Sequence, residues 1–216
     1  IKGVIVKMFL FRIRHKTKFE HWNKVKLTGQ KSPLQPKHVW AIRTRLQLAM
    51  KYRDLALFNV AIDSKLRGCD LVKLKIEEIA PNGQCVDRVT IRQSKTGQPV
   101  KFELTENTRQ AVEKHLSTKS RIGNIYLFPG RNPESSHLTT RQYSRLVSQW
   151  ISNVGLDDSI YGTHSLRRTK ATIIYRRTGN LRAVQLLLGH TKIESTVRYL
   201  GVEVDDALAI AEKIDI

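Results

Sequence analysis

The spacing of apolar positions changes character along the chain. From Lys37 onward Val39, Ile42, Leu46 and Met50 recur at intervals of three and four, and Leu55, Phe58, Ala61 and Ile62 resume the pattern after a break near Asp54. Residues so spaced share one face of an α-helix, so two helices are predicted, the second ending near Ser64. Between Ile76 and Leu104 the period becomes two. Val89 and Ile91 alternate with Thr90 and Arg92, and Val100, Phe102 and Leu104 alternate with Lys101 and Glu103. Ser94-Lys95-Thr96-Gly97 supplies the turn, so a hairpin is expected here, with a third strand near 76–79. Helical spacing returns over 107–116, 140–154, 164–177, 181–188, 192–200 and 204–214, and glycines at 155, 162, 179, 189 and 201 mark most of the gaps. The expected class is α+β, mainly helical, with a small antiparallel sheet.

The stretch from Gly29 to Pro36 has the proline, glycine and polar composition of a linker. It divides a basic N-terminal arm and linker, residues 1–36, from a domain over 37–216 that ends in a C-terminal helix. No internal repeat or low-complexity tract is visible.

Charge narrows the partners. The 216 residues include 38 lysines and arginines against 19 acidic residues, a formal charge of +19. Such an excess repels itself unless it faces a polyanion, which points to nucleic acid first and an anionic membrane surface second. The basic residues are spread along the chain and no strongly amphipathic basic helix stands out, which disfavours the membrane. With 40% hydrophobic residues the chain can build a domain core, so a wholly disordered basic tail is excluded. The longest stretch without Asp, Glu, Lys or Arg, Leu146 to Leu156, is well short of the ~18 apolar residues of a spanning helix. The N-terminal apolar run is broken by Lys7 and followed by Arg12, Arg14, Lys16 and Lys18, unlike a signal peptide. Cys69 and Cys85 form no close pair, as suits a reducing compartment. A cytoplasmic location is expected.

The usual signatures of nucleotide hydrolysis, dinucleotide binding and common zinc sites are absent. Basic residues near helix ends carry the remaining chemistry, and each group has an ordinary reading as well. His164-Ser165-Leu166-Arg167-Arg168 places His164 and Arg167 three apart, on one helical face, where they could grip one phosphate or merely track a DNA backbone. Arg67 stands at the end of an apolar helix beside Gly68, with Asp70 close enough to hold it, or to form a capping salt bridge. Lys95 lies at the hairpin turn, where exposed lysines are common. Gly189-His190 is followed nine residues on by Tyr199, a candidate nucleophile or a tyrosine packed with its hydroxyl satisfied.

Taken in order, Arg67, Lys95, His164-x2-Arg167, His190 and Tyr199 resemble the active-site signature of the tyrosine recombinases, or phage integrase family. The similarity runs from about Val39 to the last helix and is most specific over 164–168 and 187–199. It implies a tyrosine recombinase-type catalytic domain acting on double-stranded DNA, with Tyr199 attacking a phosphate to form a 3′-phosphotyrosyl link. Lys95 would protonate the departing 5′-oxygen, His164 would assist proton transfer, His190 would hydrogen-bond the scissile phosphate, and Asp70 would orient the arginine side. The resemblance also implies self-assembly on DNA, from dimer to tetramer, through the C-terminal helix. Typical members carry a separate N-terminal helical domain, whereas about 36 residues precede the catalytic-type region here, as in short members such as the fimbrial switch recombinases or in a piece of a longer protein.

The chemistry is physically coherent. A tyrosine with a pKa near 10 is only ~0.1% ionised at neutral pH, so attack needs a proton acceptor or a cationic setting. The guanidinium groups of Arg67 and Arg167 can hold two non-bridging oxygens and stabilise the developing charge, a task that metals perform elsewhere, so neither a cofactor nor a metal is expected. Type IB topoisomerase-like relaxation and a non-catalytic DNA-binding module remain alternatives. Arg141, Arg145, Lys170, Arg176, Arg177 and Arg182 are further cations available to bases or phosphates.

Overall fold

The computed structural model describes residues 30–118, 125–130, 136–201 and 212. Helix α1 spans Pro36–Leu48 and α2 spans Tyr52–Ser64. The break between them falls at Met50, whose φ is +51°, rather than at Asp54. Asp54 lies in the first turn of α2 and accepts a hydrogen bond from Trp150 Nε1 at 3.3 Å, while Met50 is exposed and leaves the apolar stripe. Two short helices follow, α3 at Gly68–Leu71 and α4 at Ile76–Ile79. Strands β1, Arg88–Arg92, and β2, Pro99–Glu103, pair antiparallel with Ile91 opposite Val100. Then come α5 at Glu106–Ser117, α6 at Thr140–Asn153, α7 at Thr163–Thr178, α8 at Leu181–Leu188 and α9 at Ile193–Leu200. The C-terminal helix expected over 204–214 lies outside the described residues.

Most of these elements follow from their own sequence. Thr139 and Gln142 cap α6 reciprocally, each side chain meeting the other's backbone N–H at 3.1 Å. Asn180 caps α8 by accepting from Ala183 N at 2.9 Å. The exception is the expected third strand at 76–79, which is a single helical turn. Glu78 reaches back to the Lys75 N–H at 2.8 Å and closes the turn, and extended pairing is limited to a bridge between Lys75 and Tyr126. Among the described residues the sheet therefore has two strands.

Helix α2 occupies the centre. Ala56, Leu57, Phe58 and Val60 are fully buried, and the helix packs against α1, α5, α7 and β2. The segment read as a linker is fastened at its C-terminal end. Leu34 is buried, its N–H donates to Thr169 Oγ1 at 3.0 Å, and the Lys31 carbonyl accepts from Arg168. A second, smaller apolar cluster of Ala171, Val184, Leu188 and Leu200 joins α7, α8 and α9.

A buried ionic knot locks α7 to the hairpin. Asp63, 2% exposed, accepts from Thr105 N, Thr105 Oγ1 and Thr108 Oγ1 at 2.9, 2.7 and 2.6 Å, and pairs with Lys170 at 2.8 Å. Lys170 also meets Glu103 at 2.6 Å. Lys65, 1% exposed, points its ammonium at the Asp63 carbonyl, and burial lowers its pKa to about 8. Burial would raise the Asp63 pKa, but Lys170 and the threonine donors outweigh it and hold the carboxyl below its usual range. Asp63→Ala should therefore leave Lys65 and Lys170 sharing the half-exposed Glu103 carboxylate, strand the Thr105 and Thr108 donors, and cost roughly 3–5 kcal/mol in urea unfolding; a loss under about 1 kcal/mol would show that water replaces the carboxylate.

Candidate active site

The site forms where α7, α8 and α9 meet the connection from α2 to α3. Lys65 ends α2 in the left-handed region, φ +55°, and Arg67 precedes α3 in extended backbone. Gly68 is needed for close approach rather than for a turn, since a Cβ there would lie 3.3 Å from the buried Tyr143 ring. His164 and Arg167 stand on successive turns of α7. His190 follows the end of α8 and Tyr199 lies in the last turn of α9.

Arg167 is 3% exposed, donates from Nη2 to the Leu188 carbonyl at 3.0 Å, and sits 5.8 Å from the Tyr199 ring centre. Arg168 lies 5.6 Å from the same ring and His190 meets its edge at 5.4 Å. The His190 Nδ1 is hydrogen-bonded to the fully buried Thr196 hydroxyl at 3.1 Å, which fixes the ring. The Tyr199 hydroxyl and Arg167 Nη1 are both buried, and Arg167 and Tyr199 lie close enough to act on each other, but neither atom makes a hydrogen bond of good geometry among the described residues.

The electrostatics follow from this crowding. Burial raises the Tyr199 pKa more than the charges of Arg167, Arg168 and Arg67 lower it, so the phenol is protonated. His164 keeps some solvent access, yet crowding by protein atoms and then the charges of Arg167, Arg67 and Arg168 lower its pKa. His190 is lowered to about 4, by burial first and then by Arg167 and Arg67. Both imidazoles are therefore neutral at neutral pH.

The family model described as "Phage integrase family" matches residues 34–205. The chain belongs to the phage integrase family. It is 29% identical over 157 residues to the probable integrase/recombinase YoeC of Bacillus subtilis (strain 168), covering 73% of this chain and 82% of that protein. It is likewise 29% identical over 158 residues to tyrosine recombinase XerC of Caldanaerobacter subterraneus subsp. tengcongensis, covering 71% of this chain but 42% of that protein. Among solved structures, the XerA recombinase aligns with a TM-score of 0.68 at 20% identity, covering 84% of this chain and 64% of that one. XerH bound to its difH substrate aligns with a TM-score of 0.65 at 20% identity, covering 87% and 56%. These likenesses establish the fold, a mainly helical catalytic domain with its small sheet.

Within this chain, Arg67, His164, Arg167, His190 and Tyr199 share one electrostatic neighbourhood, and Asp70 lies near enough to act on Arg167. The Asp70 hydrogen bond goes to the hairpin rather than to Arg67, with Oδ1 accepting from Ser94 N at 2.8 Å. Lys95 is exposed at that turn, outside the cluster. Among the described residues no group of three or more His, Cys, Asp or Glu could hold a metal ion, and no helix is long and apolar enough to cross a membrane. Lys170, a candidate DNA contact by sequence, is engaged in the ionic knot instead.

Two residues of the site escaped sequence reasoning. Arg168 carries no role by its motif alone, and its carbonyl partner at Lys31 lies too far away in sequence to leave a local signal. Gln93 hydrogen-bonds Arg67, Thr96 and the Leu188 carbonyl. Its signal was present: it continues the inward alternation of Val89 and Ile91, a polar residue at a buried strand-end position.

For His190 the unfolded chain binds a proton, between pH about 4 and 6.5, that the folded protein refuses. Its contribution to stability is thus complete above pH 6.5 and lost as pH falls toward about 4. Imidazole NMR should show a His190 midpoint near 4, and a midpoint at or above 6.5 would contradict the crowded environment.

Proposed function

We propose that this integrase cleaves and rejoins double-stranded DNA at specific sites through a 3′-phosphotyrosyl intermediate on Tyr199, with neither a metal ion nor ATP. The observation that carries the reading is a buried phenol hydroxyl, without a well-formed hydrogen bond among the described residues, flanked by Arg167 and Arg168. A phosphodiester entering there would meet both a nucleophile and cationic donors that make no salt bridge among the described residues. Arg67 and Arg167 bind the non-bridging oxygens and stabilise charge as the transition state forms. His190, anchored through Nδ1, offers its other ring nitrogen to the phosphate. The phenol oxygen bonds to phosphorus as its proton passes to neutral His164. The bond from phosphorus to the 5′-oxygen then breaks, and Lys95 protonates that oxygen. The reverse sequence, with a 5′-hydroxyl from another strand attacking the phosphotyrosine, rejoins the DNA without loss of the phosphodiester bond.

Asp70 contributes by fixing Ser94 beside Lys95, so the acid projects from a tethered turn. Residues 37–216 act as the catalytic unit and residues 1–36 as a basic arm against DNA. Exchange between two sites needs several protomers, and the apolar stripe of Val204, Leu208, Ala211 and Ile214 supplies a surface for assembly from dimer to tetramer. XerH, one of the similar structures, is described in a pre-cleavage complex with difH and in a post-cleavage complex with a palindromic difH.

The test uses duplexes selected from a random pool by binding to the chain, with a nick stepped one nucleotide at a time. A nick just 3′ of the scissile phosphate releases a short fragment, so religation fails and a denaturation-resistant adduct should accumulate, with chelator present. It should map to Tyr199 and leave a free 5′-hydroxyl. Tyr199→Phe should abolish it with DNA binding retained, and Arg67→Lys should lose most of the rate, roughly 100-fold, because an ammonium cannot make a two-pronged grip. An adduct on another tyrosine, or one that requires magnesium, would falsify the assignment.

A further inference from the structure

Gln93, the residue after β1, is 1% exposed and its side-chain amide touches three separate parts of the site. Oε1 accepts from Arg67 Nη1 at 2.6 Å and from Thr96 Oγ1 at 3.0 Å, while Nε2 donates to the Leu188 carbonyl at 3.1 Å. That same carbonyl accepts from Arg167 Nη2 at 3.0 Å. A carbonyl oxygen has two lone pairs, and here both are engaged. One buried amide thus connects the two arginines, 100 residues apart in sequence, and fastens the turn that presents Lys95.

The backbone is shaped to allow this approach. Gly189, with φ +65°, ends α8 in the left-handed region, and a Cβ there would come within 3.1 Å of Gln93 Nε2 and 2.5 Å of Val100 Cγ2. The Gln93 backbone adds to the turn, its N–H donating to the Gln98 carbonyl at 3.0 Å and its carbonyl accepting from Gly97 N at 2.8 Å. The residue is therefore held by its own main chain as well as by its side-chain contacts to Arg67 and the Leu188 carbonyl.

From this geometry we infer that Gln93 is a positioning residue for DNA cleavage, holding Arg67 and Arg167 in register with each other and with the Lys95 turn. The inference rests on the cleavage chemistry proposed above. A neutral amide suits the role because it orients Arg67 without cancelling its charge, whereas a carboxylate at the same place would compete with the DNA phosphate. Methionine would match the length and remove all three hydrogen bonds, leaving Arg67 free to take other rotamers.

The experiment measures single-turnover adduct formation on the nicked duplex, with enzyme in excess, together with duplex affinity and thermal unfolding. Gln93→Met should slow adduct formation roughly 10- to 100-fold, because small misplacement of transition-state groups is costly, with affinity within about threefold. In an Arg67→Lys background the same substitution should cost less than about threefold more, since the arginine grip it aligns is already gone. A purely structural role predicts equal losses in both backgrounds, and that result would overturn the inference. If Gln93→Met does not fold, Gln93→Glu keeps the volume and the acceptor contacts, and it should lose rate by neutralising Arg67. In whichever variant folds, a rate within about twofold of the unsubstituted chain overturns the inference. Absence of adduct in the unsubstituted chain instead overturns the cleavage reading itself.

Discussion

Positive charge held close to a buried phenol, with no carboxylate in salt-bridge contact among the described residues, is the constraint around which this site is organised. Moving a guanidinium out of water is costly unless its donors are satisfied, and a carboxylate would be the simplest remedy. Here one donor of each arginine meets an uncharged oxygen instead: the Leu188 carbonyl for Arg167, the Lys31 carbonyl for Arg168 and the Gln93 amide for Arg67. Such contacts replace part of the lost hydration but leave the charge in place, available to a phosphate. The Leu188 carbonyl suits the task because it belongs to the last turn of α8, where helix carbonyls lack partners within the helix and carry partial negative charge.

That arrangement needs α7 to carry cations of two kinds one turn apart. Arg167 faces Tyr199 and makes no salt bridge among the described residues, with Asp70 acting on it only from nearby, whereas Lys170 is paired with Asp63 and Glu103. The knot fixes α7 against α2 and the hairpin, so the arginines project from a helix whose orientation does not depend on bound DNA. The tyrosine helix is held differently, resting on the smaller apolar cluster shared with α7 and α8. The Gln30 amide reaches the Arg198 carbonyl at the end of α9 with a hydrogen bond of 2.7 Å. The segment before α1 thus touches both Arg168 and the end of the helix that carries Tyr199.

Local pattern was sufficient wherever the physics is local. Helical spacing located α5 to α9 to within a residue or two, and strand alternation located the hairpin, because each face had to be buried against a common core. The 76–79 segment failed for an equally local reason: two isoleucines flanking two glutamates fit a strand edge, but Glu78 closed a helical turn. Lys170 was indistinguishable from a DNA-facing lysine because its partners, Asp63 and Glu103, lie 107 and 67 residues earlier.

The sequence by itself determined the residue types of the site and their order, since a phenol, two guanidiniums, two imidazoles and a lysine are chemical identities that folding cannot alter. It also determined the helix faces, which follow from a period of 3.6. Tertiary structure alone decided which neutral oxygens hold the arginines, that Asp70 serves the hairpin, and that Gln93 bridges Arg67 to the end of α8. The physical reason is that hydrogen bonds act over about 3 Å, a separation between distant residues that only the packing of helices against the sheet sets.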